Sequence, residues 1–162
     1  MTSRTVNAND LFAVAPELMK KWTGTSMAVA SSLEPTLVRL VEIRASQING
    51  CANCINMHAH EAREKGETEQ RIYLLSAWRE APCYSERERA ALGWTDALTR
   101  LSEGHHPLEE ARAALQAQFS NEEQVKLTLM INIINGWNRI AVGFHQFVDP
   151  AQARAAAAKA AA

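Results

Sequence analysis

Two cysteines and a histidine lie close together in the segment NGCANCINMHAHEA, which spans residues 49–62. If this segment is helical, Cys51, Cys54 and His58 share one face, within an arc of about 60° at 100° per residue. Two thiols at this spacing can close a small disulfide, and the N-terminus of a helix stabilises a thiolate. His58 follows Cys54 by one turn, where it can take up or hold the proton of that thiol. The pattern therefore predicts thiol redox chemistry, in which one cysteine attacks a peroxide or a disulfide and the other resolves the product.

The same residues are open to two other interpretations. A zinc site would use Cys51, Cys54 and His58 as three of its four ligands, and Cys83 or the His105–His106 pair would have to complete it. Alternatively, all three are core residues, because free cysteine is among the most buried residue types. The redox interpretation is favoured because a thiol pair, a base and a helix start coincide.

The other polar residues of the segment are predicted to face away from the thiols. On the same helix His60 falls on the side opposite Cys51, and Asn53 and Asn56 also point away from it. Only His58 is therefore expected to act together with the cysteines.

Composition limits the class of protein. A chain of 162 residues is expected to form a single domain over residues 1–162, and a net charge of -1 predicts no surface for nucleic acid or anionic membrane. No apolar run reaches the roughly 18 residues of a membrane span, and the N-terminus lacks a signal-peptide core. Three cysteines are too few for a secreted disulfide framework. We therefore expect a soluble, cytoplasmic protein in which any disulfide is functional rather than structural.

Helical periodicity and helix-end signals run along most of the chain. Pro35 suits a first helical turn, and Ser85 with Glu88 and Ser120 with Glu123 have capping-box spacing. Besides one or two helices within 9–31, the predicted helices are 35–49, 51–66, 68–81, 85–104, 107–119 and 120–144. The sequence therefore predicts an all-α protein of about six to eight helices.

The alanine-rich tail, residues 151–162, has high helix propensity. It is either a docked last helix or a frayed end.

The string EIRASQINGCANCINMHAHEA, residues 42–62, resembles the active-site signature of the alkylhydroperoxidase D-like proteins in the carboxymuconolactone decarboxylase superfamily. The similarity continues through SERERAALGWTDALTRL and NGWNRIAVGF, so it covers roughly residues 35–147. It implies an all-helical fold with its signature helices at about 35–66, assembly into trimers or hexamers, and reduction of alkyl hydroperoxides through the C-x-x-C pair. It also implies a dithiol protein as reductant, linked to lipoyl groups or to a peroxiredoxin. No cofactor and no metal are predicted.

The family pattern transfers directly to Cys51, Cys54 and His58. Well-studied members also carry a histidine just before the second cysteine, where this chain has Asn53. Because His58 lies one turn from Cys54 and two turns from Cys51, we predict that Cys54 attacks the peroxide and that Cys51 resolves the product.

The acidic partner of the histidine is displaced in this chain. The family's proton relay uses a glutamate twelve residues before the first cysteine, where this chain has Arg39. The nearest acid is Glu42, about one helical turn further along. We therefore predict that Glu42 serves His58; the alternative is that Glu42 pairs with Arg39 or Arg44 at the surface.

The sequence thus predicts a thiol peroxidase with an antioxidant role, whose catalytic residues are Cys51, Cys54, His58 and Glu42. The alternative is a non-redox protein, either a lyase-like relative acting through His58 and Glu42 or a small-molecule-binding oligomer. A homo-oligomer is expected in either case, because apolar stripes such as LTLMINII, residues 127–134, should be buried partly between subunits.

Overall fold

Helices make up all the regular secondary structure in the described part of this chain. The computed structural model describes residues 11–104 and 108–147. Two 3₁₀ turns, Leu75–Ala77 and Leu101–Glu103, accompany the α-helices. The α-helices of these ranges are α1 (Leu11–Val14), α2 (Pro16–Ala30), α3 (Pro35–Asn49), α4 (Ala52–Glu64), α5 (Glu69–Leu74), α6 (Glu86–Thr99), α7 (Leu108–Gln118) and α8 (Asn121–Gly143). The predicted all-α class is confirmed, whereas the His105–His106 pair and the tail 151–162 lie outside the described residues.

Helix α3 lies at the centre of the fold. It begins at Pro35, whose missing N–H costs no helical hydrogen bond in the first turn. It packs against α4, α6 and α8, and Leu40, Val41 and Ile43 on it are completely buried. Because α3 is covered on most sides, several of its polar residues are buried, among them Glu42, Arg44 and Ser46.

Two apolar clusters fill the interior on either side of α3. One joins α3 to α6, α7 and α8 and contains Val41, Ile131 and Ile134. The other joins α3 to α4, α5 and α6 and contains Leu40 and Leu92. Helix α3 is therefore fixed by packing from both sides, which gives a rigid base for side chains at its C-terminal end.

The predicted capping boxes are both present. Ser85 and Glu88 exchange side-chain and backbone hydrogen bonds at the start of α6, and Ser120 and Glu123 do so at the start of α8. These bonds satisfy amide groups that the first turn of a helix leaves unpaired.

The helix predicted over residues 68–81 is shorter in the structure. Helix α5 ends at Leu74 and is followed by a 3₁₀ turn and an irregular stretch. The guanidinium of Arg89, on α6, donates to the backbone carbonyls of Trp78 and Arg79, each at 3.1 Å, and to that of Tyr84 at 3.2 Å. Because a side chain from another helix satisfies these carbonyls, the stretch needs no helical hydrogen bonds of its own.

Helix α8 buries most of the stripe that was expected between subunits. Leu127, Met130, Ile131, Ile133 and Ile134 all lie in the chain's own core. Of the large apolar residues in this stripe only Leu129 is exposed and left for a subunit contact, because α8 packs against α2, α3 and α6 within one chain. Among the described helices, none combines the length and apolarity needed to cross a bilayer.

Candidate active site

The two cysteines of the C-x-x-C motif meet at the start of α4. Cys51 is the N-cap residue, and its Sγ accepts a hydrogen bond from the backbone N–H of Cys54 at 3.3 Å. The two sulfurs form a disulfide, with the Cα atoms 5.4 Å apart. Both residues are almost completely buried, at 1% and 2% exposure, and they pack against Ala141 of α8. The thiol pair is therefore enclosed between α4 and α8 at a helix start.

A left-handed turn delivers the chain from α3 into this pair. Gly50 caps α3 with φ 66°, a conformation that glycine adopts without the steric cost that a Cβ imposes. The backbone N–H of Cys51 then bonds to the carbonyl of Ser46 at 3.0 Å. The turn fixes the direction in which α4 leaves and hence the position of both cysteines.

Side-chain amides tie the same turn to α8. The side-chain amide of Asn49 donates to the side-chain oxygens of Asn135 and Asn138, at 3.0 and 2.8 Å. Asn138 donates in turn to the hydroxyl of Ser46 at 2.9 Å. These buried bonds hold the end of α3 against α8, so the cysteine turn has little freedom to shift.

Glu42 and His58 come together as the sequence suggested. Glu42 Oε2 lies 3.3 Å from His58 Nδ1, and both side chains are 8% exposed. The alternative that places Glu42 at the surface is therefore wrong, although Glu42 does contact Arg39, whose Nη1 is 2.7 Å from the same oxygen. Arg44 is engaged elsewhere, in a buried ion pair with Asp96 at 2.6 Å.

Glu61 is a fourth member of this cluster that sequence analysis missed. Its Oε2 lies 3.1 Å from His58 Nδ1 and also contacts the guanidinium of Arg39. Arg39 Nη1 itself lies 3.0 Å from His58 Nδ1. The signal was present in the sequence, since residues three apart on a helix, such as His58 and Glu61, lie on the same face.

The two carboxyl groups beside His58 have opposite electrostatic environments. Burial raises the pKa of Glu42, and this effect outweighs the nearby positive charges of His58 and Arg39. The pKa of Glu61 is lowered, first by its hydrogen bond with His58 and further by Arg39, against a smaller opposing effect of burial. The cluster therefore holds one carboxyl that favours its proton and one that favours its charge.

The cluster has the spacing of a metal site but already contains a cation. One ligand atom each of Glu42, His58 and Glu61 lie within 4.8 Å of one another. The guanidinium of Arg39 contacts all three groups and supplies the positive charge that an ion would bring. The zinc site considered from the sequence would instead use Cys51, Cys54 and His58. Cys83 does not complete that site, because it packs in another apolar cluster, whereas Cys51 and Cys54 pack with Ala141.

A cavity of about 310 Å³ opens beside the second cysteine. Cys54, His58 and Glu42 line one part of it, and Cys51 is not among the lining residues. Most of the remaining wall is apolar and includes Phe12, Met57, Met130, Ile133, Trp137 and Ala141. A small molecule in this cavity would meet Cys54 together with the histidine and the buried glutamate.

The expectation that Asn53 faces away from the thiols is wrong. Asn53 is buried and lines the same cavity as Cys54 and His58. The helical projection took Cys51 as its reference, yet Cys51 is an N-cap residue with φ -83° and ψ 93° and lies outside the helix. The functional face of α4 is therefore centred nearer Cys54 than the projection placed it.

Residues 16–97 match the sequence profile of the carboxymuconolactone decarboxylase family. The chain belongs to this family. An uncharacterised protein of Bacillus subtilis, YdfG, is 42% identical over 132 residues, which cover 81% of this chain and 89% of YdfG.

Solved structures with the same architecture show the range of proteins that share it. ATU0492 of Agrobacterium tumefaciens, a protein of unknown function and a candidate antioxidant defence protein AhpD, has 47% identity and a TM-score of 0.80. That match covers 85% of this chain and 95% of ATU0492. The debrominase Bmp8, at 20% identity and a TM-score of 0.76, shares the fold, with coverage of 86% and 75%.

Proposed function

We propose that this member of the family is a thiol peroxidase that reduces alkyl hydroperoxides through Cys51 and Cys54, with His58 and Glu42 managing the protons. The observation that carries the proposal is the shared cavity, in which Cys54, His58 and Glu42 face one largely apolar space. The disulfide between Cys51 and Cys54 further supports the proposal, because the two sulfurs bond without rearrangement of the helix start. The similarity to ATU0492 is consistent with an antioxidant role.

The first step is attack by the Cys54 thiolate on the terminal oxygen of the hydroperoxide. An S–O bond forms as the O–O bond breaks, so Cys54 becomes a sulfenic acid and the peroxide leaves as an alkoxide. The alkoxide takes a proton and becomes the alcohol. His58, which lines the cavity beside Cys54, is placed to receive the thiol proton and return it to this leaving group.

The second step is attack by the Cys51 thiol on the sulfur of that sulfenic acid. The S–S bond forms, the S–O bond breaks, and the hydroxyl leaves as water with the proton of Cys51. The hydroperoxide has then been reduced by two electrons, and the two cysteines have been oxidised to a disulfide.

Two electrons from a dithiol reductant close the cycle by thiol–disulfide exchange. Cys51 and Cys54 are only 1% and 2% exposed, so a flat protein surface could not reach them. A dithiol at the end of a slender arm, such as a lipoyl group on a carrier protein, could enter the cavity. We therefore propose a reductant of that kind.

Turnover of cumene hydroperoxide with dihydrolipoamide as reductant tests this proposal. Cys54→Ser should abolish sustained turnover, because it removes the attacking thiolate. Cys51→Ser should slow turnover, because dihydrolipoamide must then reduce the Cys54 sulfenic acid directly. Cys83→Ser is the matched control and should turn over normally, since Cys83 lies outside the cavity. Turnover in the double variant lacking Cys51 and Cys54 would contradict the proposal, as would its absence in the wild-type protein with every dithiol tried. An activity that needs His58 and Glu42 but neither cysteine would favour the non-redox alternative.

A further inference from the structure

Nδ1 of His58 is approached by two carboxyl groups, and they differ in geometry and in access to water. The N–H at Nδ1 donates a hydrogen bond to Glu61 Oε2 at 3.1 Å, while Glu42 Oε2 lies at 3.3 Å in an ion-pair contact without hydrogen-bond geometry. The side chain of Glu61 is 40% exposed, and that of Glu42 is 8% exposed. Of the two, only Glu42 lines the cavity.

We propose that Glu61 is the positioning carboxylate of His58 in this chain: it orients the ring through Nδ1 and exchanges the proton of the ring with solvent. Arg39 contacts Glu61 and fixes it in place, and Glu42 serves the cavity side. This inference rests on the proposed function. It adds Glu61, which is not among the catalytic residues predicted from the sequence.

Arg39 provides the geometric reason for this division. Its guanidinium bridges Glu42 and Glu61 while contacting Nδ1 of His58, so it holds both carboxyl groups against the same edge of the ring. Because Nδ1–H of His58 donates to Glu61, Nε2 is left as the ring nitrogen for Cys54 and the substrate. An anion held at one nitrogen stabilises the charged ring when the other nitrogen takes a proton.

The enclosure of the site explains why a path to water is needed. Protons move between Cys54, His58 and the leaving alkoxide in each cycle, yet the cysteines and Glu42 are buried. Within residues 11–104 and 108–147, the charged side chains that contact Nδ1 of His58 are Arg39 and Glu42 from α3 and Glu61 from α4, and Cys54 lines the cavity beside the ring. The described parts of α1, α2 and α8 present only uncharged residues to the cavity. The lowered pKa of Glu61 fits a carboxylate that is charged between proton transfers and so anchors the ring.

Glu61→Gln tests the inference against Glu64→Gln, a control one turn along the same helix. Glu64 lies beside His60, at 3.7 Å, and does not line the cavity. We expect Glu61→Gln to slow peroxide turnover by about tenfold or more, which starts below the roughly 100-fold that a group transferring the proton to substrate contributes, because Glu61 acts through His58. Glu64→Gln should leave turnover unchanged, and Glu61→Asp, which keeps the charge, should restore most of it.

Two further measurements separate proton exchange from a structural role. Added imidazole or formate, at constant pH and ionic strength, should raise the turnover of Glu61→Gln but not of Glu42→Gln, because only Glu61 lies at a partly exposed position. In the reduced protein, the pH profile of Cys54 alkylation by iodoacetamide should shift in Glu61→Gln and not in Glu64→Gln. Equal behaviour of Glu61→Gln and Glu64→Gln, or slow turnover that no buffer raises, would overturn the inference.

These outcomes are distinct from failure of the proposed function. If the wild-type protein reduces no hydroperoxide but the alkylation profile depends on Glu61, the inference about His58 stands and the peroxidase proposal falls. If the wild-type protein reduces hydroperoxide and Glu61→Gln behaves as Glu64→Gln, only the inference falls.

Discussion

The two cysteines differ most clearly in what surrounds each sulfur. Cys54 lines the cavity with His58, whereas Cys51 lies behind it at the N-cap, where its Sγ accepts the Cys54 N–H. Access and a nearby base favour Cys54 as the attacking thiolate, while the helix N-terminus stabilises either thiolate. We therefore keep the assignment of Cys54 as attacking residue and Cys51 as resolving residue.

Trapping of the sulfenic acid tests this assignment. With one equivalent of cumene hydroperoxide, Cys51→Ser should form a sulfenic acid on Cys54, since attack is intact and resolution is lost. Cys54→Ser should form none. Labelling with a sulfenate-specific reagent and peptide mass spectrometry identifies the site. Label on Cys51 in the Cys54→Ser protein, at the wild-type rate, would reverse the two roles.

Removal of the buried carboxyl should slow the reaction. Glu42→Gln keeps the shape of the side chain but cannot carry a proton between the cavity and His58. We expect peroxide consumption to fall by about 10- to 1,000-fold, a range that starts below the roughly 100- to 10,000-fold contribution of a complete acid–base catalyst, because His58 remains. Glu110→Gln, on the surface of α7, serves as the control. If Glu42→Gln leaves the rate of peroxide consumption unchanged, Glu42 takes no part in the proton relay.

The same substitution should stabilise the fold at neutral pH. Burial raises the pKa of Glu42, so the folded state binds this proton more tightly than the unfolded chain, whose glutamate has a pKa of about 4.3. The stabilisation from Glu42 is therefore complete below that pH and is lost as the pH rises through the folded-state pKa. Glu42→Gln should melt at a higher temperature than wild type at pH 7, and the difference should shrink towards pH 4. A wild-type protein that is the more stable at pH 7 would mean that the ion pairs of Glu42 outweigh its burial.

At the scale of elements, the turn between α3 and α4 determines where the cysteines lie. Gly50 takes a left-handed conformation there, and nothing lies within 4 Å of the position that a Cβ would occupy. A side chain at Gly50 would thus add backbone strain without a steric clash.

Paired glycine substitutions test the turn. Gly50→Ala should lower the free energy of unfolding by about 1 kcal/mol, the cost of a left-handed conformation for a residue with a Cβ. Gly24→Ala is the matched control: it also has open space, but it lies inside α2, where alanine should stabilise by about 0.5–1 kcal/mol. Chemical denaturation measures both. A Gly50→Ala protein at least as stable as wild type would show that a side chain does not strain the turn at Gly50.

Local signals explain which elements could be predicted. The capping boxes at Ser85 and Ser120 depend on residues three apart, so the sequence alone locates the starts of α6 and α8. The early end of α5 depends on Arg89, whose hydrogen bonds to residues 78–84 come from another helix and leave no local pattern.

The candidate site likewise contains residues that the sequence predicts and one residue that it does not. Cys54 and His58 share one short helix, Cys51 is its N-cap, and their proximity follows from spacing. Glu61 was within the same helical pattern, but its role became visible only through Arg39, which joins it from α3. Contacts between side chains of two helices, such as that of Arg39 with Glu61, depend on how the core packs the helices together. No local sequence pattern reveals that packing.

At the scale of the whole molecule, apolar side chains remain on the surface although α8 buries most of its own stripe. Val125 and Leu129 of α8 are 60% and 46% exposed, and they lie one turn apart on the same face. Phe12 and Leu18 from the first two helices are also exposed. Such patches are typical of subunit contacts.

A homo-oligomer is the expected state of this chain. Light scattering at micromolar concentration should give three or six times the 17.9 kDa chain mass. Leu129→Glu should lower that mass if this face of α8 lies between subunits, because a buried unpaired charge is costly. Lys126→Glu, at a polar position nearby, serves as the control for charge alone. A stable monomer of the wild-type protein would contradict the expectation.

Counting thiols after one equivalent of hydroperoxide tests the central claim most directly. The chain has three cysteines, so the reduced protein should begin with three titratable thiols. After cumene hydroperoxide we expect one thiol, on Cys83, with a Cys51–Cys54 disulfide identified by peptide mass spectrometry and one equivalent of cumyl alcohol formed. Retention of all three thiols, or loss that maps to Cys83, would contradict the account.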